Sequence, residues 1–102
     1  MGYGVVFAPE ARAQLISIYR HLAGAAGPAR ALAFSESIVE YCESFTTFPN
    51  RGTPRNDLRP GLRTVGFRKR VTIAFTVSRT TITILGVFYG GRDFETVLKE
   101  PN

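Results

Sequence analysis

Cysteine and histidine are almost missing from this chain: Cys42 and His21 each stand alone. One cysteine excludes an internal disulfide and any zinc site built on a cysteine cluster. One histidine excludes a multi-histidine centre, so neither metal nor cofactor is expected. Tryptophan is absent, and of thirteen basic residues only Lys69 and Lys99 are lysines. No apolar run approaches the ~20 residues that span a bilayer, and no charged leader with an apolar stretch behind it opens the chain. A cytoplasmic location is therefore expected. Catalytic sets are equally scarce. A Ser–His–Asp arrangement would depend on His21, which falls inside a helical pattern. Cys42 borders an apolar stripe and reads as a small core residue. Near the later strands the acids are Asp57, Asp93 and Glu95, and Asp93 is taken up as a helix cap.

What the chain does have is arginine and β-forming residues. Its 102 residues carry a net charge of +5, enough chain for one domain (1–102) with one core. An arginine-rich surface suits carboxylate or phosphate partners. Gly2 to Ala8 reads as a strand. Pro9 opens a helix with Glu10 in its first turn. Ala11, Leu15, Ile18 and Leu22 recur along it at helical spacing, and Gly24 and Gly27 bound a tight connection. Pro28 opens a second helix with Phe34, Ile38, Tyr41 and Phe45 on one stripe. Two helices joined so closely form an αα-hairpin that needs a sheet to cover it. Thr46 to Gly61 shows no periodicity apart from a short turn at Asn56 to Arg59.

The stretch from Leu62 to Asp93 reads as an antiparallel meander. Its strands are Leu62 to Phe67, Val71 to Val77 and a nearly all-apolar Ile82 to Tyr89, which is placed centrally with both faces covered. Asp93 caps a last short helix through Lys99. The fold class is α+β: β-α-α-β-β-β with a final helix, a mostly antiparallel sheet packed on an αα-hairpin. From Arg51 to Arg70 seven basic residues (Arg51, Arg55, Arg59, Arg63, Arg68, Lys69, Arg70) face one acid, Asp57. In a meander the first strand and the end of the last can approach, so Arg63, Arg70, Tyr89 and Arg92 are expected on one concave surface. Such a surface can hold RNA phosphate, dock an acidic protein face or be a solvated rim. Open sheet edges also invite an added strand.

Several stretches resemble the ParE/RelE superfamily of toxins from type II toxin–antitoxin pairs: APEARAQL after the first strand, FPNRG after the second helix, GLRTVGFRKRVTIAFTV, and above all ILGVFYGGRDFE. The resemblance runs from about Tyr3 to Leu98. It implies the RelE/ParE-like fold and a growth-inhibiting toxin neutralised by a ParD-like antitoxin in a hetero-oligomer. Arg63 matches the family's arginine on the first meander strand, Arg70 falls near its next basic position, and Arg92 matches the terminal Arg–Asp pair. RelE-type ribonucleases add lysines before the meander and a catalytic tyrosine near the C-terminus. Here Arg51, Arg55 and Arg59 stand in that loop, and Phe94 follows where no tyrosine does. The ParE-like branch is therefore implied: a non-enzymatic protein that poisons DNA gyrase through Arg63, Arg68, Arg70, Tyr89 and Arg92. The alternatives are a ribosome-dependent mRNA endonuclease using Arg63, Arg70, Tyr89 and Arg92, and a non-toxic binding module. The antitoxin is expected on Leu15, Ile18, Tyr19, Leu22, Arg51 and Arg55.

Overall fold

The computed structural model describes residues 3–90 and 94–99. Five strands and three helices follow in the order β1 (Gly4–Phe7), α1 (Pro9–Ala26), α2 (Pro28–Glu43), β2 (Thr53–Pro54), β3 (Leu62–Phe67), β4 (Val71–Val77), β5 (Thr81–Tyr89) and α3 (Phe94–Leu98). The architecture is α+β, a helical hairpin on a five-stranded, mostly antiparallel sheet. Asp93, expected to cap α3, and Arg92 lie outside the described residues. Among those described, no helix is long and apolar enough to cross a membrane.

α1 starts at Pro9 without a side-chain cap, since Ala8 has none to offer. It does not stop at Gly24 as expected but runs through it to Ala26. Isolated glycine lowers helix stability without forbidding the helix. Gly27, at φ +95°, is then the whole connection: its N–H donates to Ala23 O, and its carbonyl accepts from Ala31 N, both at 3.1 Å. The stripe of α2 lies on the sheet. Tyr41 stacks on Phe67 with ring centroids 4.8 Å apart, and Phe45, fully buried, meets Phe75 at 4.7 Å.

The sheet order is β1-β5-β4-β3-β2. The first strand pairs with the last in parallel, Gly4 opposite Thr81 and Phe7 opposite Ile84; the other pairings are antiparallel. β5 is an interior strand beside the edge strand β1, while β4 takes the middle place expected for β5; both faces of β5 are covered as expected. Ile82, Ile84 and Val87 join the core under the helices. On the opposite face Phe88 packs with Leu58, Leu62, Ala74 and Leu98, roofed by the 55–61 loop and α3. The stretch after α2 is more ordered than its sequence suggests. β2 pairs Thr53 with Thr64, Leu58 is buried, and Gly61 N donates to Asn56 Oδ1 at 2.8 Å.

One irregularity shapes the middle of the sheet. Ala74 faces Gly86 while Phe75 faces Ile84, so Leu85 is a bulge residue without an opposite number. Bulges free backbone groups from the ladder; at this one the Val87 N–H donates 2.7 Å to Gln14 Oε1 from α1. Gly86 is required there, because an added Cβ would run into the Phe88 ring, with Cζ at 2.7 Å.

Candidate functional site

The arginines separate into two groups with different work. At the end of the sheet where β3 begins, Arg63 is half-buried and its guanidinium reaches the 50–52 loop. Nε donates to Arg51 O at 2.8 Å, and Nη2 to the carbonyls of Asn50 and Gly52. Arg51 lies over the Phe45 ring at 4.9 Å and donates to Phe48 O (3.1 Å) and Ser44 O (3.2 Å). Arg55 makes a two-pronged contact with Asp57 (3.0 and 2.9 Å) and a second ion pair with Glu95 at 2.6 Å. This last pair ties the loop to α3. All three side chains therefore spend their donors within the fold.

The Arg55 guanidinium holds the Asp57 carboxyl below its ordinary value of 3.8. A carboxyl depressed by folding stabilises the native state above that value, and the contribution is lost as pH falls through the folded one. Wild-type protein should therefore melt above Asp57→Asn at pH 7. The difference should stay constant down to about pH 4 and close below it in thermal scans across pH. Cys42 is inert by the opposite cause: burial, assisted by Glu43, pushes its thiol up to about 12, so no thiolate forms near neutral pH.

The other group sits at the far end. Register places Arg63 opposite Phe75, itself opposite Ile84, whereas Tyr89 faces Val71 and, beyond it, Phe67. The start of β3 and the end of β5 are thus at opposite ends of the sheet. The expected concave surface joining Arg63 to Arg70 and Tyr89 does not form. Antiparallel pairing brings the start of β3 to the end of β4 and the start of β5, not to the end of β5.

What Tyr89 does meet is the helical hairpin, through His21 of α1 and Phe34 of α2. Its ring is half-buried against Phe34 (6.2 Å, edge-on) and His21 (5.8 Å). Beside it a cleft of about 600 Å³ opens between α1 and the end of β5, lined by Gln14, Ser17, Arg20, His21 and Tyr89 among others. No acid lines it. The β3–β4 turn stands at the same end, because Gly90 N donates to Arg70 O at 2.7 Å. Arg68, Lys69 and Arg70 are all exposed there. Arg20 and His21 gave no signal as site residues in the sequence, where only the β1–β5 pairing that seats α1 beside Tyr89 would have exposed them.

Of the residues expected to meet an antitoxin, Ile18 is only 5% exposed, and Leu15 and Leu22 pack against the core. Ile18 is thereby removed as a contact residue, since the stripe at helical spacing faces the sheet. What the hairpin exposes is Ile16 (52%) and Leu32 (51%), with a shallow groove lined by Leu15, Ser35, Glu36, Val39 and Glu40. Tyr19 is half-buried. Among the described residues no group of three or more His, Cys, Asp or Glu side chains is placed to hold a metal ion.

Comparison with known proteins bears on this arrangement. Residues 5–94 match the family model described as the ParE toxin of the type II toxin–antitoxin system parDE. A chain from the chromosomal ParDE toxin–antitoxin system of P. aeruginosa superposes with a TM-score of 0.75 at 28% identity, covering 86% of this chain and 96% of that one. A chain of the RelBE2 toxin–antitoxin complex of Mycobacterium tuberculosis has the same fold, with a TM-score of 0.64 at 22% identity over 90% of this chain and 95% of its own. No curated protein matches the sequence.

Proposed function

The chain belongs to the ParE toxin family of type II toxin–antitoxin systems, and we propose that it arrests growth in the cytoplasm by poisoning DNA gyrase. The observation that carries this is the family match over residues 5–94. The separation of Arg63 from Tyr89 also supports it, because a ribonuclease site needs its basic and phenolic groups within reach of one phosphate. The docking surface for the target is the basic end: Arg68, Arg70 and Tyr89, joined by Lys69, Arg20 and His21. The antitoxin, a ParD-like partner in a hetero-oligomer, lays an amphipathic helix on the exposed Ile16, Tyr19 and Leu32 side of the hairpin. The free edge of β1 is open to an added strand.

Purified toxin should inhibit supercoiling by purified gyrase, and the neighbour-encoded antitoxin should restore it. Unchanged supercoiling at saturating toxin would sink the gyrase reading. Transcript ends mapped at codon positions in a translating extract would replace it with ribosome-dependent mRNA cleavage. Expression without the antitoxin that leaves growth unaffected would point to a binding module without toxicity.

A further inference from the structure

We infer that the basic end is a binding site for the phosphate backbone of duplex DNA, made by the Arg68–Lys69–Arg70 turn and the cleft beside Tyr89. The inference rests on the docking surface proposed above but not on the identity of the enzyme target.

The first support is strain. Phe67 to Arg70 is a two-residue hairpin closed by Arg70 N donating to Phe67 O at 3.1 Å. Arg68 and Lys69 sit at φ +52° and +59°. Left-handed backbone costs a residue with a side chain about 1–2 kcal/mol, and such turns favour Asn-Gly. Two cationic side chains thus stand at the exposed tip against the local preference of the backbone. Strain kept at an exposed position points to use.

The second is chemistry. The Arg68 guanidinium lies 5.0 Å from the Phe67 ring centroid, and among the described residues Lys69 and Arg70 carry no ion pair. Arg20, the His21 imidazole, the Ser17 hydroxyl and the Tyr89 phenol line the cleft behind them. Mixed hydroxyl and cationic donors are the usual partners of phosphate and sugar oxygens. Arg30 stands one turn before Phe34 on the same side of α2 and extends the positive field.

The third distinguishes nucleic acid from an acidic protein. Protein interfaces centre on desolvated apolar or aromatic anchors, whereas nucleic-acid interfaces are polar, positive and wet. The large exposed apolar side chains among the described residues are Val6, Ile16, Leu32, Phe48 and Val97. None of them lines the cleft or belongs to the turn.

The test uses the full chain and a fluorescein-labelled duplex of arbitrary sequence, read by anisotropy at several KCl concentrations, with polyglutamate as competitor. The variant is Arg68→Asn/Lys69→Gly, which suits the turn and should melt no lower than wild type. Its affinity for duplex should fall at least tenfold at low salt. Its slope of log K against log salt should shrink by about 2, roughly one for each lost phosphate contact. Arg79→Gln, at the β4–β5 turn on the opposite end, should leave both unchanged. The inference is overturned by duplex that does not bind, by binding the double variant retains, or by polyglutamate that competes as well as unlabelled duplex. Gyrase is absent from this assay. A failed supercoiling assay beside intact duplex binding therefore rejects only the enzyme target, and the reverse rejects only the DNA site.

Discussion

Gly52→Ala is expected to lower the melting temperature by roughly 10–20 °C, the largest effect foreseen for a single added methyl group. Two costs combine. Gly52 has φ +78°, and alanine in that region loses about 1–2 kcal/mol. The new Cβ would also collide with the backbone carbonyl of Thr64, with the carbonyl carbon and Val65 Cβ each at 3.1 Å. That backbone belongs to β3, held by β2 on one side and β4 on the other, so it has no slack to give. Overpacking against such a wall costs about 1–3 kcal/mol more. Gly61→Ala separates the two terms. Gly61 has nearly the same φ, +77°, but nothing within 4 Å of an added Cβ. Its variant should show the conformational cost alone, about 1–2 kcal/mol. If the two variants melt together, the tight approach of the loop to β3 is refuted.

Arg63→Ala comes second, at about 2 kcal/mol or roughly 10 °C. Family resemblance places Arg63 among the target-binding residues, but its donors are directed at the carbonyls of Asn50, Arg51 and Gly52. Hydrogen bonds from a charged donor are stronger than neutral ones, and truncation leaves all three acceptors to water. Arg63→Lys should restore little, because an ammonium cannot reproduce the fork that spans neighbouring carbonyls. The discriminating measurement pairs thermal melting with growth arrest on expression. A structural role predicts that toxicity follows the folded fraction and returns at lower temperature. A variant that melts like wild type yet has lost toxicity would return Arg63 to the target-binding surface.

These two positions show what a sequence reading can and cannot reach. The stripe of Phe34, Ile38, Tyr41 and Phe45 and the alternation in β4 were legible because burial imposes a period. The same logic overlooked that one helical stripe cannot face both core and partner, and Ile18 went to the core. Arginine carries no such period. Arg51, Arg55 and Arg63 looked like a free basic surface, yet two of them serve backbone carbonyls and the third is matched by Asp57 and Glu95. Their partners are loop atoms whose positions follow from chain path, not from residue type. Tyr89 was singled out correctly as lying near Arg70, but its neighbours on α1 depend on β1 pairing with β5. Nothing local to Gly4–Phe7 announces that partner.

That pairing has a consequence for how the protein is made. The parallel match of Gly4 with Thr81 gives β1 a partner that leaves the ribosome only after both long helices and the intervening strands. Domains assemble during synthesis at about 5–20 residues per second, so β1 waits on the order of 10 s for β5. Throughout that interval the nascent chain presents a helical hairpin without the strand that joins β1 to the rest of the sheet. The cleft does not exist either, because Tyr89 supplies its wall. Both the closed sheet and the cleft therefore form only once β5 has been made, however early the two helices fold.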